Sequence, residues 1–225
     1  MFATIPRLTA LLLLLSTLSC AAANHAQRSY HTQTGSTVSS SIWQMQTTPS
    51  AITMVTTSND GVINRFSISP THKATTVWEF IDPLNNTHVH AFSVGKTIKL
   101  SGVLKGTKVQ QSCNLDQPWW QPIPWNLEQM LGDNKDQATF VAIRPSDLKC
   151  HDFVAQRLAE QPEVSAAQKV RVEVRLTGAY NKFWKAQYWF DAHTDQFIRY
   201  QAKHGLFAKP TVVQLQELNL SPAAQ

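Results

Sequence analysis

Lys169-Val-Arg-Val-Glu-Val-Arg-Leu176 alternates apolar and charged side chains from end to end. That period of two puts Val170, Val172, Val174 and Leu176 on one face and Arg171, Glu173 and Arg175 on the other. A strand with one dry and one wet face requires this pattern, and a helix at about 3.6 residues per turn would scramble it. The stretch predicts antiparallel sheet, and the sequence on both sides repeats the prediction. Downstream, Phe183 to Phe190 reads as a strand with Trp184, Tyr188 and Phe190 on one face and Phe183 and Trp189 on the other. Asp191 to Asp195 turns it into Phe197 to Ala202, and Thr211 to Leu220 supplies a last strand.

Upstream the same texture recurs. A hairpin over Gln27 to Thr48 turns at Gly35 and sets Trp43 and Met45 on one face. Ser58-Asn-Asp-Gly61 has the residues that tolerate positive φ, so Ile52 to Thr57 and Val62 to Ile68 form a second hairpin. Lys73 to Ile81, Thr87 to Val94, Thr97 to Ser101 and Lys108 to Cys113 continue the meander at spacings of about 8 to 12 residues, as in sandwiches, barrels and curved sheets. No strand–helix–strand alternation interrupts it. The expectation is an all-β domain of ten or so strands, a curved antiparallel sheet in the form of a half-barrel or open barrel.

One segment departs from this texture. Cys113-Asn-Leu-Asp-Gln-Pro-Trp-Trp-Gln-Pro-Ile-Pro-Trp125 carries three prolines, each of which withdraws a ladder donor, so it is no central strand. Asn126 is read as the cap of a short helix with Leu127, Met130 and Leu131 at helical spacing and Gly132 as its stop. Such a helix survives only by packing its apolar face on the sheet. Ala138 to Ile143 returns to strand before Cys150. The domain is thus 24–225 with a short-helix and Trp-rich loop insert at 113–150, placed across the mouth of the barrel.

Residues 1–23 read as a signal peptide: Arg7, then the apolar run Leu8 to Leu18, then Ala21-Ala22-Ala23 as a cleavage site. Cys20, after Leu18-Ser19, leaves a lipid anchor open as the alternative to cleavage after Ala23, although Thr17 stands where a lipobox has leucine. Both routes imply a periplasmic or outer-membrane associated protein. Cys113 and Cys150 then remain as an even pair in an oxidising compartment and are expected to form a disulfide. Without residues 1–23 the chain holds 19 Lys and Arg against 15 Asp and Glu, a mild +4. The basic residues are scattered along strand patterns, which describes solvated faces first and contact with anionic lipid or polysaccharide second. Nucleic acid is not an expected partner. No later apolar run is long enough for a transmembrane helix.

Tyr188-Trp-Phe-Asp-Ala-His-Thr-Asp-Gln-Phe-Ile-Arg-Tyr200 resembles the C-terminal hairpin of uncharacterised Gram-negative periplasmic β-sheet families. Those families are half-barrels loosely similar to lipoprotein-carrier folds. The resemblance covers about 30 residues, with Asp195 where glycine is common, and implies the same curved sheet; it implies no catalytic residue.

The candidate chemistry is sparse. His88 and His90 share a strand face, a geometry suited to two ligands of zinc or copper, with His72, Asp82, His151 or His193 as tertiary third ligands. No metal site is assigned on two histidines, and neither nucleophile motifs nor phosphate-cradling glycine loops occur, so neither enzymatic activity nor a cofactor is expected. Trp119, Trp120, Trp125 and Met130 are the candidate ligand-binding residues, since indoles that bury apolar area while keeping an N–H suit a lipid or sugar pocket. The functional expectation is an exported cell-envelope binding protein carrying a lipid, acyl chain or glycolipid. The alternative is a structural or interaction protein with the interior filled, and a metal-dependent enzyme at His88 and His90 is a third choice.

Overall fold

A computed structural model describes residues 24–159, 169–178, 184–203 and 208–216. The leader with Cys20, Phe183 and the end of the expected last strand beyond 216 lie outside the described residues. Within them the chain forms fourteen strands: β1 (Asn24–Thr34), β2 (Thr37–Thr47), β3 (Ile52–Ser58), β4 (Ile63–Ile68), β5 (Thr75–Asp82), β6 (Thr87–Val94), β7 (Thr97–Leu104), β8 (Thr107–Asn114), β9 (Gln137–Ile143), β10 (Cys150–Arg157), β11 (Lys169–Leu176), β12 (Lys185–Asp191), β13 (Phe197–Lys203) and β14 (Pro210–Gln216). One helix, α1 (Ile123–Gly132), lies between β8 and β9.

All fourteen strands belong to one sheet in the order β8-β7-β6-β5-β4-β3-β2-β1-β14-β13-β12-β11-β10-β9, with antiparallel pairing throughout. β1 pairs with β14 from Ser29↔Gln216 to Thr34↔Thr211, so the two ends of the domain meet in mid-sheet. The two edges, β8 and β9, are consecutive in the chain and do not pair with each other. The result is the expected all-β curved sheet, a barrel left open at one seam, with the insert filling that seam.

The alternation read from the sequence becomes the inside and outside of this barrel. Val170, Val172 and Val174 are buried and continue across the sheet through Phe190, Tyr188 and Ala186. Trp78 lies opposite Phe66 on one side and Ala91 on the other, all buried. Trp43 and Met45 share one face of β2 as expected, and that face packs against the buried clusters. Gly102, at φ 142°, lets β7 pass close to β6, where a Cβ would stand 2.2 Å from the His88 carbonyl oxygen. A glycine at such a close approach permits the sheet to coil.

Two expectations are corrected. The strand passed over by the sequence reading is β10, because its inward positions include His151 and Arg157 as well as Phe153 and Ala155, which blurs the two-residue period. Asn126 is not the cap of α1. The helix begins earlier, at Ile123 after Pro122, with proline in its first turn where a missing N–H costs nothing. Asn126 sits inside the helix, fully buried, and its Nδ2 donates to the Lys73 carbonyl at 2.7 Å.

Candidate functional site

The insert enters the barrel at Pro118 and runs beside β9. Val141 N–H donates to Pro118 O at 2.9 Å and Trp120 N–H to Val141 O at 2.8 Å, a short parallel pairing that continues the sheet past its edge. On its other side the Trp119 carbonyl accepts from Thr75 N–H at 2.8 Å, and Gln121 N–H donates to Thr75 Oγ1 at 3.0 Å. The insert therefore spans the interior from β9 to the start of β5. Gln121 then uses its side-chain amide as a strand would use its backbone. Its Nε2 donates to Ile143 O and its Oε1 accepts Ile143 N–H, both at 2.9 Å, and the same Oε1 accepts the Trp119 indole N–H at 2.9 Å.

This partition gives the interior two hydrophobic clusters. Trp119 and Trp125 join Met54, Phe66, Trp78, Val89, Leu100 and Ile143 in one. Trp120, Leu127, Met130 and Leu131 join Tyr30, Phe140, Val172, Tyr188 and Phe197 in the other. The four residues singled out for ligand binding thus lie on both sides of the insert, with Trp119 1%, Trp120 8%, Trp125 4% and Met130 2% exposed. Trp120 stacks on Phe140 at 4.8 Å between centroids, and Phe140 on Phe153 at 5.4 Å. Phe140 to Ile143 of β9 are buried on both faces, one toward each cluster. Cys113, at the end of β8, and Cys150, at the start of β10, stand at disulfide distance across the seam, with Cα atoms 6.4 Å apart. They close the loop that contains the insert.

Among the described residues, Glu128 is the charged group buried in this interior. Glu128 on α1 is 8% exposed, is paired with Arg28 of β1, and accepts the Phe197 N–H at 2.7 Å. Burial raises its pKa above the usual carboxylate range, opposed by Arg28 and the Phe197 amide and aided by Asp195. Burial works against the Arg28 charge, but the Glu128 carboxylate outweighs it and holds the guanidinium pKa up. The neighbouring Tyr30, whose hydroxyl donates to Phe197 O at 3.2 Å, is pushed up to about 12 by burial. Ala26, Arg28, Trp43, Met45, Met54, Trp125 and Glu128 surround a cavity of ≈ 20 Å³, room for about one water. A larger groove of ≈ 370 Å³, open to solvent, is lined by His25, Ala26, Gln27, Gln44, Met45, Gln46, Thr53 and Val55.

The two strand histidines point outward from β6, away from both clusters. His88 Nε2 lies 2.8 Å from Glu79 Oε1, and Arg65 holds the other oxygen of that carboxylate at 2.5 Å. Hydrogen bonds from Arg65 and His88 lower the Glu79 pKa. The proposed third ligands do not complete a site: Asp82 lies across from Thr87, beside His88, but its carboxylate accepts from Asn85, while His72 precedes β5, His151 is on β10 and His193 is in the β12–β13 turn. Among the described residues no group of three His, Cys, Asp or Glu could hold a metal ion. No helix among them is long and apolar enough to cross a membrane.

Gln121, Arg28 and Glu128 were missed by the sequence reading. An acid flanked by Ile123, Trp125, Leu127, Met130 and Leu131 was a signal for a buried carboxylate; nothing local distinguishes Gln121.

No protein-family model matches the chain, and no curated protein sequence does. Among solved structures, the crystal structure of a β-barrel-like protein of domain of unknown function DUF1849 from Brucella abortus superposes with a TM-score of 0.51 over 85% of this chain and 95% of that one. The likeness is one of fold. At 6% identity it supports the barrel-like architecture and assigns no chemistry to any residue.

Proposed function

We propose that the protein is exported to the cell envelope and acts there as a non-enzymatic interaction or structural protein whose barrel is filled by its own insert. The observation that carries this is the position of Trp119, Trp120, Trp125 and Met130, each nine-tenths or more buried against sheet residues. Small-molecule sites are clefts of about 300–1,000 Å³ with predominantly apolar walls. The inner cavity, at ≈ 20 Å³, is far below that range. The groove of ≈ 370 Å³ has the size, but its glutamine-rich lining favours water over an acyl chain. Export is supported by the leader read in residues 1–23 and by a cysteine pair set for a disulfide, a bond that persists outside reducing compartments.

Mass spectrometry of organic extracts from the protein purified out of the periplasm tests the filled interior. The expected result is no lipid in stoichiometric amount, together with no saturable binding of a fluorescent fatty acid. One lipid per chain, displaced by the fatty acid and lost in Trp120→Ala, would overturn this proposal in favour of a carrier.

A further inference from the structure

The basic residues that look scattered in the sequence are gathered by the register of β11, β12 and β13. Pairing aligns Arg171 with Trp189 and Trp189 with Arg199. It also aligns Arg175 with Lys185, while Ala186↔Ala202 brings Lys203 alongside Lys185. The inward positions of these strands are the buried Val170, Val172, Val174, Ala186, Tyr188, Phe190 and Ala202, so the aligned cations all point outward. With Lys169, the outer face holds six Lys and Arg against two acids, Glu173 and Asp191. Residues 24–225 hold 19 basic and 15 acidic residues, so removing this face leaves 13 of each. The net +4 of these eight side chains equals the net charge of residues 24–225.

The acids on this face do not cancel it. Glu173 lies low between the strands, its side chain 16% exposed, and neutralises repulsion between Arg175 and Lys185, each 3.5 Å from one of its oxygens. Asp191 turns its carboxylate back to the His193 and Thr194 amides at 3.0 and 2.9 Å. At the centre Trp189 lies half-buried, with the Arg199 guanidinium 5.2 Å from its ring centroid. The face is convex, about 20 Å along the strands and about 10 Å across them. Neither of the cavities described above touches it.

We propose that this face docks on an anionic lipid bilayer. A polymer chain held in register needs a groove, whereas a broad convex surface of long cationic side chains around a tryptophan matches a plane of negative headgroups. Lys and Arg reach the phosphates while their stems, like the amphipathic indole, rest at the interface. The proposal deepens the interaction reading above by naming the partner.

The test is co-sedimentation of the exported protein, carrying Cys20→Ser so that no acyl chain contributes, with vesicles of phosphatidylglycerol and phosphatidylethanolamine. The expected result is binding that falls as salt is raised, is absent on phosphatidylcholine vesicles, and drops roughly tenfold or more in Arg171→Glu/Arg199→Glu. Arg171→Lys/Arg199→Lys should retain it, as should Lys99→Glu/Lys108→Glu on β7 and β8. A second pair, Lys185→Glu/Lys203→Glu, covers the case in which the first unfolds. Undiminished binding by both charge-reversed pairs, equal binding to phosphatidylcholine, or capture by a soluble polyanion but not by vesicles would overturn the proposal. None of these outcomes bears on whether the interior holds a lipid, so the two proposals fail separately.

Discussion

Glu128 is the residue whose ionisation state the fold must control, because it is nearly buried and its compensation comes from Arg28 and the Phe197 amide. Its pKa is raised relative to the unfolded chain, so the native state binds its proton more tightly, and this contribution to stability declines as pH climbs from the unfolded value through the folded one. Arg28→Met removes the opposing cation and raises that pKa further. The expected loss is about 3 kcal/mol at neutral pH, where a buried carboxylate is left unpaired, and much less near pH 4, where protonation relieves it. Denaturant melts at the two pH values check this, and adding Glu128→Gln should recover part of the neutral-pH loss. Equal losses at both pH values would refute the linkage. At this scale the sequence was half legible. An acid among the apolar residues of α1 announces itself, but its partner is a hundred residues away on β1.

Among the elements, the insert is held by two devices besides its backbone bonds to β9 and Thr75. One is Gln121, which supplies strand-like hydrogen bonds to both backbone groups of Ile143. Gln121→Leu leaves those groups and the Trp119 indole short of partners in a buried setting, at a cost of about 1–3 kcal/mol for an unsatisfied pair. Hydrogen exchange at the Ile143 amide should accelerate more than exchange in β3 or β4. The other is the Cys113–Cys150 pair, which closes a loop of 37 residues and, in the chain-entropy model, contributes about 4 kcal/mol. Thiol labelling of unfolded, unreduced protein should find both cysteines blocked, and reduction should expose Pro122 to Trp125 to protease. Full labelling without reductant would leave the insert held by Gln121, the tryptophans and its backbone bonds to Thr75 and Val141. The pairing of the cysteines could be read from their even number after the leader-like residues 1–23. What they brace could not, because the insert's partners, Thr75 on β5 and Val141 on β9, are set by strand placement and not by the sequence around the cysteines.

For the molecule as a whole, the insert couples two clusters that the sheet alone would leave facing an empty interior. Trp119 donates to Gln121, pairs with Val141 and packs among Trp78-side residues, so Trp119→Ala should cost about 3–5 kcal/mol, as for a core aromatic. Trp189→Ala, on the outer face, should cost only about 1–2 kcal/mol, for a half-buried ring and its contact with Arg199. Melts of the two variants beside the wild type decide this. A Trp119→Ala protein as stable as Trp189→Ala would mean that the insert is not part of the core.

Fourteen strands stand where ten or so were expected, and edge strand β8 runs as far as Asn114. Local period and local chemistry were nonetheless enough to determine the all-β class, most of the strands, their dry and wet faces, the turns, the short helix and the exclusion of the proline-rich stretch from the centre of the sheet. These depend on residues near one another in the chain, where alternation, proline and glycine act directly. The missed strand β10 marks the limit, since His151 and Arg157 at inward positions hide its period. Tertiary structure alone decided that β1 closes on β14, that β9 is buried on both faces, and that Arg171, Trp189 and Arg199 stand side by side. Those facts follow from register between strands far apart in sequence, and register is set by how all inward faces pack together at once, which no single stretch encodes.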